Sequence, residues 1–152
     1  MKTYIFEKQT YFDRPRDVIF SFFSNAENLN KVTPKKLHFK ILTDSPINMK
    51  KGTLIDYKLR IYYIPIHWRT EIKEWNPPHQ FIDIQLIGPY RKWIHVHQFI
   101  AQENGTVMID RVKYAIPGGF LTPLFHKLII RKDIEKIFEY REKKFKEFLK
   151  KD

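Results

Sequence analysis

The chain has 152 residues, 28 Lys and Arg against 17 Asp and Glu, a formal net charge of +11, and no cysteine. That length makes one domain, spanning residues 1–152, with enough chain to bury a real core. The lack of thiols excludes disulfides, thiolate metal ligands and cysteine nucleophiles. No stretch approaches the roughly 18 uncharged apolar residues of a membrane-spanning helix, so no integral membrane association is expected. The opening Met1-Lys2-Thr3-Tyr4-Ile5-Phe6 lacks a signal-peptide core and cleavage site, so a cytoplasmic address is expected.

The positive excess is uneven. Residues 31–60 carry eight basic and two acidic side chains, and residues 127–152 carry ten and six. A basic surface attracts nucleic acid or an anionic membrane. A solvated Lys-rich face accounts for the same pattern. No nucleic-acid motif accompanies it, so no specific nucleic-acid partner is expected.

Tyr4 to Phe12, rich in aromatic and β-branched residues, predicts an opening strand. Asp13-Arg14-Pro15 breaks it and suits a helix start. Val18, Ile19, Phe22 and Phe23 recur at helical spacing up to Asn25. Ala26 to Val32 predicts a second short helix, stopped before Pro34. The period then switches to two. Strands are expected over Leu37–Thr43, Thr53–Tyr62, Ile66–Trp75, Phe81–Leu86, Arg91–Ala101 and Thr106–Ile116. The turns fall at Lys51-Gly52, Tyr63-Ile64-Pro65, Asn76-Pro77-Pro78, Gly88-Pro89 and Asn104-Gly105, the last being the clearest hairpin signal. These connections are too short for parallel crossovers, so the strands form an antiparallel meander. Thr122-Pro123 then opens a helix of about 25–28 residues. Its apolar stripe runs through Leu121, Leu124, Phe125, Leu128, Ile134, Ile137, Phe138, Arg141, Phe145, Phe148 and Leu149.

One helix covers only part of a seven-stranded sheet. The sheet must curl around the helix, and such a grip leaves room for a cavity. Aromatic residues make up 16% of the chain. Flat rings can wall a cavity or fill a plain core.

Strand alternation assigns the inward faces. Ile55, Tyr57, Leu59 and Ile61 share one, as do Trp93, His95, His97 and Phe99, and also Met108, Asp110, Val112, Tyr114 and Ile116. Trp68 points inward with Thr70 and Ile72. For Phe81–Leu86, pattern favours Ile82, Ile84 and Leu86 inside, against Phe81, Asp83 and Gln85. His97 is expected opposite Asp110 or Val112. Two histidines and an aspartate thus fall on a buried face, where polar groups need partners. Four roles fit: a self-satisfied network, an anchor for a ligand's polar group, a metal site, or acid–base catalysis by His97 and Asp110. In the metal reading, His95 and His97 lie about 7 Å apart on one face and Asp110 completes a triad.

The run Gly88-Pro89-Tyr90-x-x-Trp93-x-His95-x-His97-x-Phe99 continues as Gly105-Thr106-x-x-x-Asp110-x-Val112-x-Tyr114-x-x-Pro117. Upstream stands Trp68-x-x-x-Ile72-x-x-Trp75-x-Pro77-Pro78-x-x-Phe81-x-Asp83-x-Gln85. Near the end stands Arg131-x-x-x-Glu135-x-Ile137-Phe138-x-Tyr140-Arg141. Together these resemble the ligand-binding branch of the SRPBCC (START/Bet v 1-like, polyketide cyclase-like) superfamily. The resemblance implies an α+β helix-grip fold: a curved seven-stranded antiparallel sheet around a long C-terminal helix, with two short helices after the first strand. It implies binding of hydrophobic or amphipathic small molecules, and it places Asp83 and Gln85 at patterned positions, which leaves either face of Phe81–Leu86 open and carries over Asp83 alone as a ligand contact.

The leading expectation is a binding or carrier protein, monomeric or weakly dimeric, without cofactor or metal. Its ligand would contact Tyr57, Leu59, Trp68, Asp83, Trp93, His95, His97, Phe99, Asp110, Val112 and Tyr114 on the sheet. Ile134 and Phe138 would close over it from the helix. The alternatives are a cyclase- or dehydratase-like enzyme, with His97 and Asp110 catalytic and Tyr114 as proton donor, and a basic module that associates with anionic surfaces.

Overall fold

The computed structural model describes residues 1–119 and 122–150. Strand β1 (Tyr4–Phe12) leads into helix α1 (Arg16–Phe23) and a 3-10 segment (Ala26–Val32). Asn25 caps that segment by accepting a hydrogen bond from the Glu27 backbone N–H. The sheet continues as β2 (Lys40–Ile41), β3 (Leu54–Ile61), β4 (Ile64–Asn76), β5 (Gln80–Ile87), β6 (Lys92–Gln102) and β7 (Gly105–Ala115). All pairings are antiparallel, in the spatial order β1-β7-β6-β5-β4-β3-β2. The meander therefore runs from β2 to β7, and β1 adds itself beside β7.

The C-terminal helix begins as α2 (Thr122–Phe125), passes through one π-helical turn (His126–Ile130) and continues as α3 (Arg131–Lys150). The wider turn resets the helix phase. Leu124, Phe125 and Leu128 of the expected stripe are exposed, and His126 turns inward instead. From Ile134 onward the stripe holds, with Ile134, Phe138 and Phe145 buried. Leu121 lies outside the described residues.

The expected strand over Leu37–Thr43 is replaced by a 3-10 turn at Lys35–Leu37 and a two-residue strand. His38 ends that turn in a left-handed conformation, φ 49°, which breaks the alternation before a strand can form. The β3–β4 turn is Tyr62-Tyr63, one step earlier than expected, and both residues have positive φ, as a two-residue primed hairpin turn requires. Pro65 is thereby drawn into β4, beyond the end of β5 where its missing N–H breaks no second ladder. The β6–β7 turn is Glu103-Asn104, again shifted by one. Gly105 is buried in β7 because a Cβ there would collide with the Phe12 carbonyl oxygen and the Tyr11 hydroxyl. Its glycine serves the close approach of β1 rather than the turn.

Register shifts between β4 and β5, at Arg69/Thr70 and Ile72/Glu74, bend the long β4 strand. The helix packs over the β1–β7 side, where Ile134 and Phe138 meet Phe6, Val112 and Tyr114. At the far end, Phe12, Phe20, Phe81, Phe99 and Phe145 form a second apolar cluster with Ile19 and Met108. Between helix and the β3–β6 part of the sheet the two layers separate.

Candidate ligand site

The separation encloses a cavity of about 200 Å³. For scale, an apolar protein cavity of about 150 Å³ holds benzene. Ile55, Tyr57, Leu59 and Ile61 of β3 form one wall, and Trp68, Thr70 and Ile72 of β4 extend it. Every inward residue assigned to β3 by alternation is there. Helix residues Ile134, Ile137, Phe138 and Arg141, spaced by three and four, form the opposite wall. Tyr90 and Trp93 complete an aromatic corner with Trp68, the rings meeting edge-on or tilted. Gln85 holds that corner in place. Its side chain donates to the Tyr90 carbonyl (2.7 Å) and accepts from the Tyr90 N–H (3.2 Å). The Tyr57 hydroxyl is tied to Thr70 Oγ1 at 2.7 Å, and burial pushes its pKa up.

The floor is polar and comes from Asp83, His95 and His97. On β5, Phe81 and Asp83 face inward while Leu86 is exposed. The hydrophobic pattern of Ile82, Ile84 and Leu86 points the wrong way here, because Asp83 finds buried partners that offset its desolvation. Cross-strand register sets Asp83 opposite His95 and His97 opposite Asp110. Each imidazole nevertheless bonds the diagonal carboxylate. His97 Nε2 lies 2.6 Å from Asp83 Oδ2, and His95 Nε2 lies 2.8 Å from Asp110 Oδ1. The two rings stack with centroids 3.5 Å apart and 26° between planes, much closer than the spacing expected for alternate residues of a strand. Phe81 stacks on the other face of His97 at 4.0 Å. His97 Nδ1 lies 3.5 Å from Asp110 Oδ1 without a hydrogen-bonding geometry, and is a buried nitrogen without a partner.

Charge inside the cluster is unequally shared. Burial opposes ionisation of Asp110, but its hydrogen bond with His95 and the nearby His97 imidazole outweigh it and hold its carboxyl far below the usual range. Asp83 is also held down against burial, by His97 first and then by the charges of His95 and Arg141. Burial and the neighbouring His97 push the pKa of His95 down despite its bond to Asp110. Burial likewise works against His97, but two carboxylates prevail and raise its pKa. These directions run toward ionised Asp83 and Asp110, a protonated His97 and a neutral His95, with the Arg141 guanidinium nearby.

Of the residues expected at the ligand, Tyr57, Leu59, Trp68, Asp83, Trp93, His95, His97, Ile134 and Phe138 line the cavity. Phe99, Asp110, Val112 and Tyr114 do not line it. All four are buried on the inward face, but the helix and the Phe cluster close directly over them. Asp110 stands behind the histidine rings, so the cavity-facing acid–base pair is His97 with Asp83, not Asp110. The expected triad is corrected in the same way, since Asp83, not Asp110, sets a donor atom together with those of His95 and His97 within 4.8 Å of one another. The Tyr114 hydroxyl is bonded to His126 Nε2 and does not line the cavity, so it is not placed as the expected proton donor. Sequence reading missed His126, which lies off the expected helix stripe and is turned inward by the π turn. It also missed Tyr90 as a lining residue, although Gly88-Pro89 signalled a tight loop there.

No protein-family model matches the sequence, and no curated protein matches it. Solved structures do. A START superfamily protein from Mycobacterium smegmatis superposes with TM-score 0.72 at 12% identity, covering 95% of this chain and 98% of that one. TTHA0849 from Thermus thermophilus gives TM-score 0.71 at 14% identity, covering 92% and 95%. Ara h 8.0201 gives 0.64 at 12% identity, covering 93% and 96%. Identity this low speaks to architecture alone, and it agrees with the sheet order and the gripping helix. The chain has the START- and Bet v 1-like helix-grip fold.

Proposed function

We propose that this protein binds a small hydrophobic or amphipathic molecule in the cavity between sheet and helix. One observation carries the reading. Apolar walls on both sides converge on a few polar groups at the floor, the arrangement that ligand pockets share. Trp68, Tyr90, Trp93, Ile137 and Phe138 would take the apolar body. Asp83, His97 and Arg141 would orient one polar group of the ligand. The cluster is charge-balanced, so the polar group need not carry a full charge. Native mass spectrometry after gentle purification, with thermal shifts against lipid and aromatic libraries, tests this. Binding should raise the melting temperature, and further with the logarithm of ligand concentration above Kd. No adduct and no shift from any amphipathic ligand would count against the proposal.

A second reading, docking on an anionic membrane, draws support from the β3–β4 turn. Tyr62, Tyr63 and Ile64 are all exposed there, Tyr63 at 92%, and Tyr62 is bonded to Asp133 of α3 at 2.7 Å. Tyrosines beside basic residues suit a headgroup layer. Among the described residues no helix is long and apolar enough to cross a membrane. Sedimentation with anionic vesicles at low and high salt tests it. Tyr63→Ser should weaken binding, and equal binding by both forms would remove this reading.

A further inference from the structure

Two features of the cavity floor are left over once the ligand reading has used it. One is the unpartnered, buried His97 Nδ1. The other is the convergence of a carboxylate and two imidazoles on one point. Asp83, His95 and His97 each offer a donor atom, and these lie within 4.8 Å of one another. His97 Nε2 is 2.6 Å, and His95 Nδ1 3.9 Å, from the same Asp83 oxygen. Donors of a tetrahedral ion at about 2.0–2.1 Å lie roughly 3.4 Å from one another. Each of these two separations therefore needs a change of less than about 1 Å to meet that geometry.

We propose that Asp83 Oδ2, His95 Nδ1 and His97 Nε2 form a binding site for a divalent first-row transition ion of the zinc, cobalt or iron(II) class. Two imidazoles and one carboxylate select such ions over magnesium or calcium, which take oxygen ligands. Asp110 supplies the outer shell. It lies 2.8 Å from the other nitrogen of His95 and 3.5 Å from the other nitrogen of His97. A carboxylate behind a ligating histidine fixes the tautomer and aims the ring. Here one carboxylate stands behind both. Coordination at His97 Nε2 is compatible with the proton that Nδ1 turns toward Asp110. The proton now held between His97 and Asp83 leaves to solvent.

Binding requires the stacked rings to splay until both lone pairs meet at the ion. Both side chains border open space, so the cavity gives them room. Arg141 on the facing helix wall opposes a cation, but the two carboxylates outnumber it. It also favours an anionic oxygen of a bound molecule, or water, at the ion's open positions. The surface pair His67–Asp56 makes a useful contrast. Its carboxylate is shared with Arg69 at 2.9 Å, and among the described residues it gathers no third donor.

The inference goes beyond the ligand reading and does not depend on it. The test uses the full chain, stripped with a chelator, and metal alone. Cobalt(II) titration followed by visible absorption, with zinc competition, should show one saturable site that magnesium does not occupy. His97→Gln and Asp83→Asn should each lower affinity about 100-fold or more, and Asp110→Asn about 10–100-fold. Circular dichroism checks that each variant is folded. Where one is not, imidazole nitrogen NMR of the unaltered chain replaces it. Zinc should then shift His95 Nδ1 and His97 Nε2 and leave His38, His67, His79 and His126 in place. No single-site cobalt spectrum, unchanged affinity in folded His97→Gln, or shifts at the other histidines would overturn the proposal. Failure here leaves an organic adduct in native mass spectrometry untouched, so the two readings fail separately.

Discussion

Replacing Asp110 tests whether the buried cluster is held together as described. Asp110 is 4% exposed, bonded to His95, and faces the charged His97. Asp110→Ala strands one imidazolium in the core, and breaking a buried pair in this way costs roughly 3–5 kcal/mol. Asp110→Asn keeps an acceptor but removes the charge, and should cost about 1.5–3 kcal/mol. In a domain of this size each kcal/mol moves the melting temperature by about 2–4 °C, so Asp110→Ala should melt about 6–20 °C lower. Urea unfolding followed by circular dichroism gives the free energies. The control is Asp56→Asn, which removes a surface carboxylate paired with Arg69 and His67 and should stay within about 1 kcal/mol. If Asp110→Ala costs no more than Asp56→Asn, the cluster is not the coupled unit described.

The pH dependence of stability follows from the same shifts. His95, its pKa lowered by burial and His97, contributes stability above its unfolded value of 6.5 that is lost as pH falls. Asp83 and Asp110, also lowered, lose theirs as pH falls below 3.8. His97 is raised, so its contribution is complete below 6.5 and is lost as pH climbs through its folded value. Urea midpoints should therefore fall on both sides of neutrality, and His97→Gln should flatten the alkaline limb. Phe138→Ala, removing a buried ring that touches Phe6 and the cavity, should cost roughly 3–5 kcal/mol by urea unfolding and enlarge the site. Gly105→Ala should cost about 1–3 kcal/mol by the same assay, because β1 must yield to the new methyl.

The antiparallel meander and the inward faces of β3, β6 and β7 were legible because short connections, a two-residue period and one charged face leave a single solution, whereas the pairing of β1 with β7 was not read from the sequence. The helix stripe was legible only from Ile134 on, since a π turn has no period-based signal. Both shifted hairpin turns share a cause. Tyr62, Tyr63 and Glu103 adopt positive φ that composition does not advertise, while the nearby glycine and proline serve neighbouring strands. Asp83 could not be placed by hydrophobic pattern, because its burial depends on histidines on another strand. The resemblance to known motifs brought the two faces of that strand level without deciding between them. His95, His97 and Asp110 were readable as buried polar residues, but which carboxylate faces the cavity depends on where the helix lands.

The most direct measurement is a high-resolution electron-density map of the protein crystallised after gentle purification or with an amphipathic ligand added. The account predicts continuous density between Trp68, Trp93 and Ile137, with its polar end at Asp83, His97 and Arg141. A cavity closed by Phe138, Tyr90 and Trp68, dry and without room for a ligand, would contradict it.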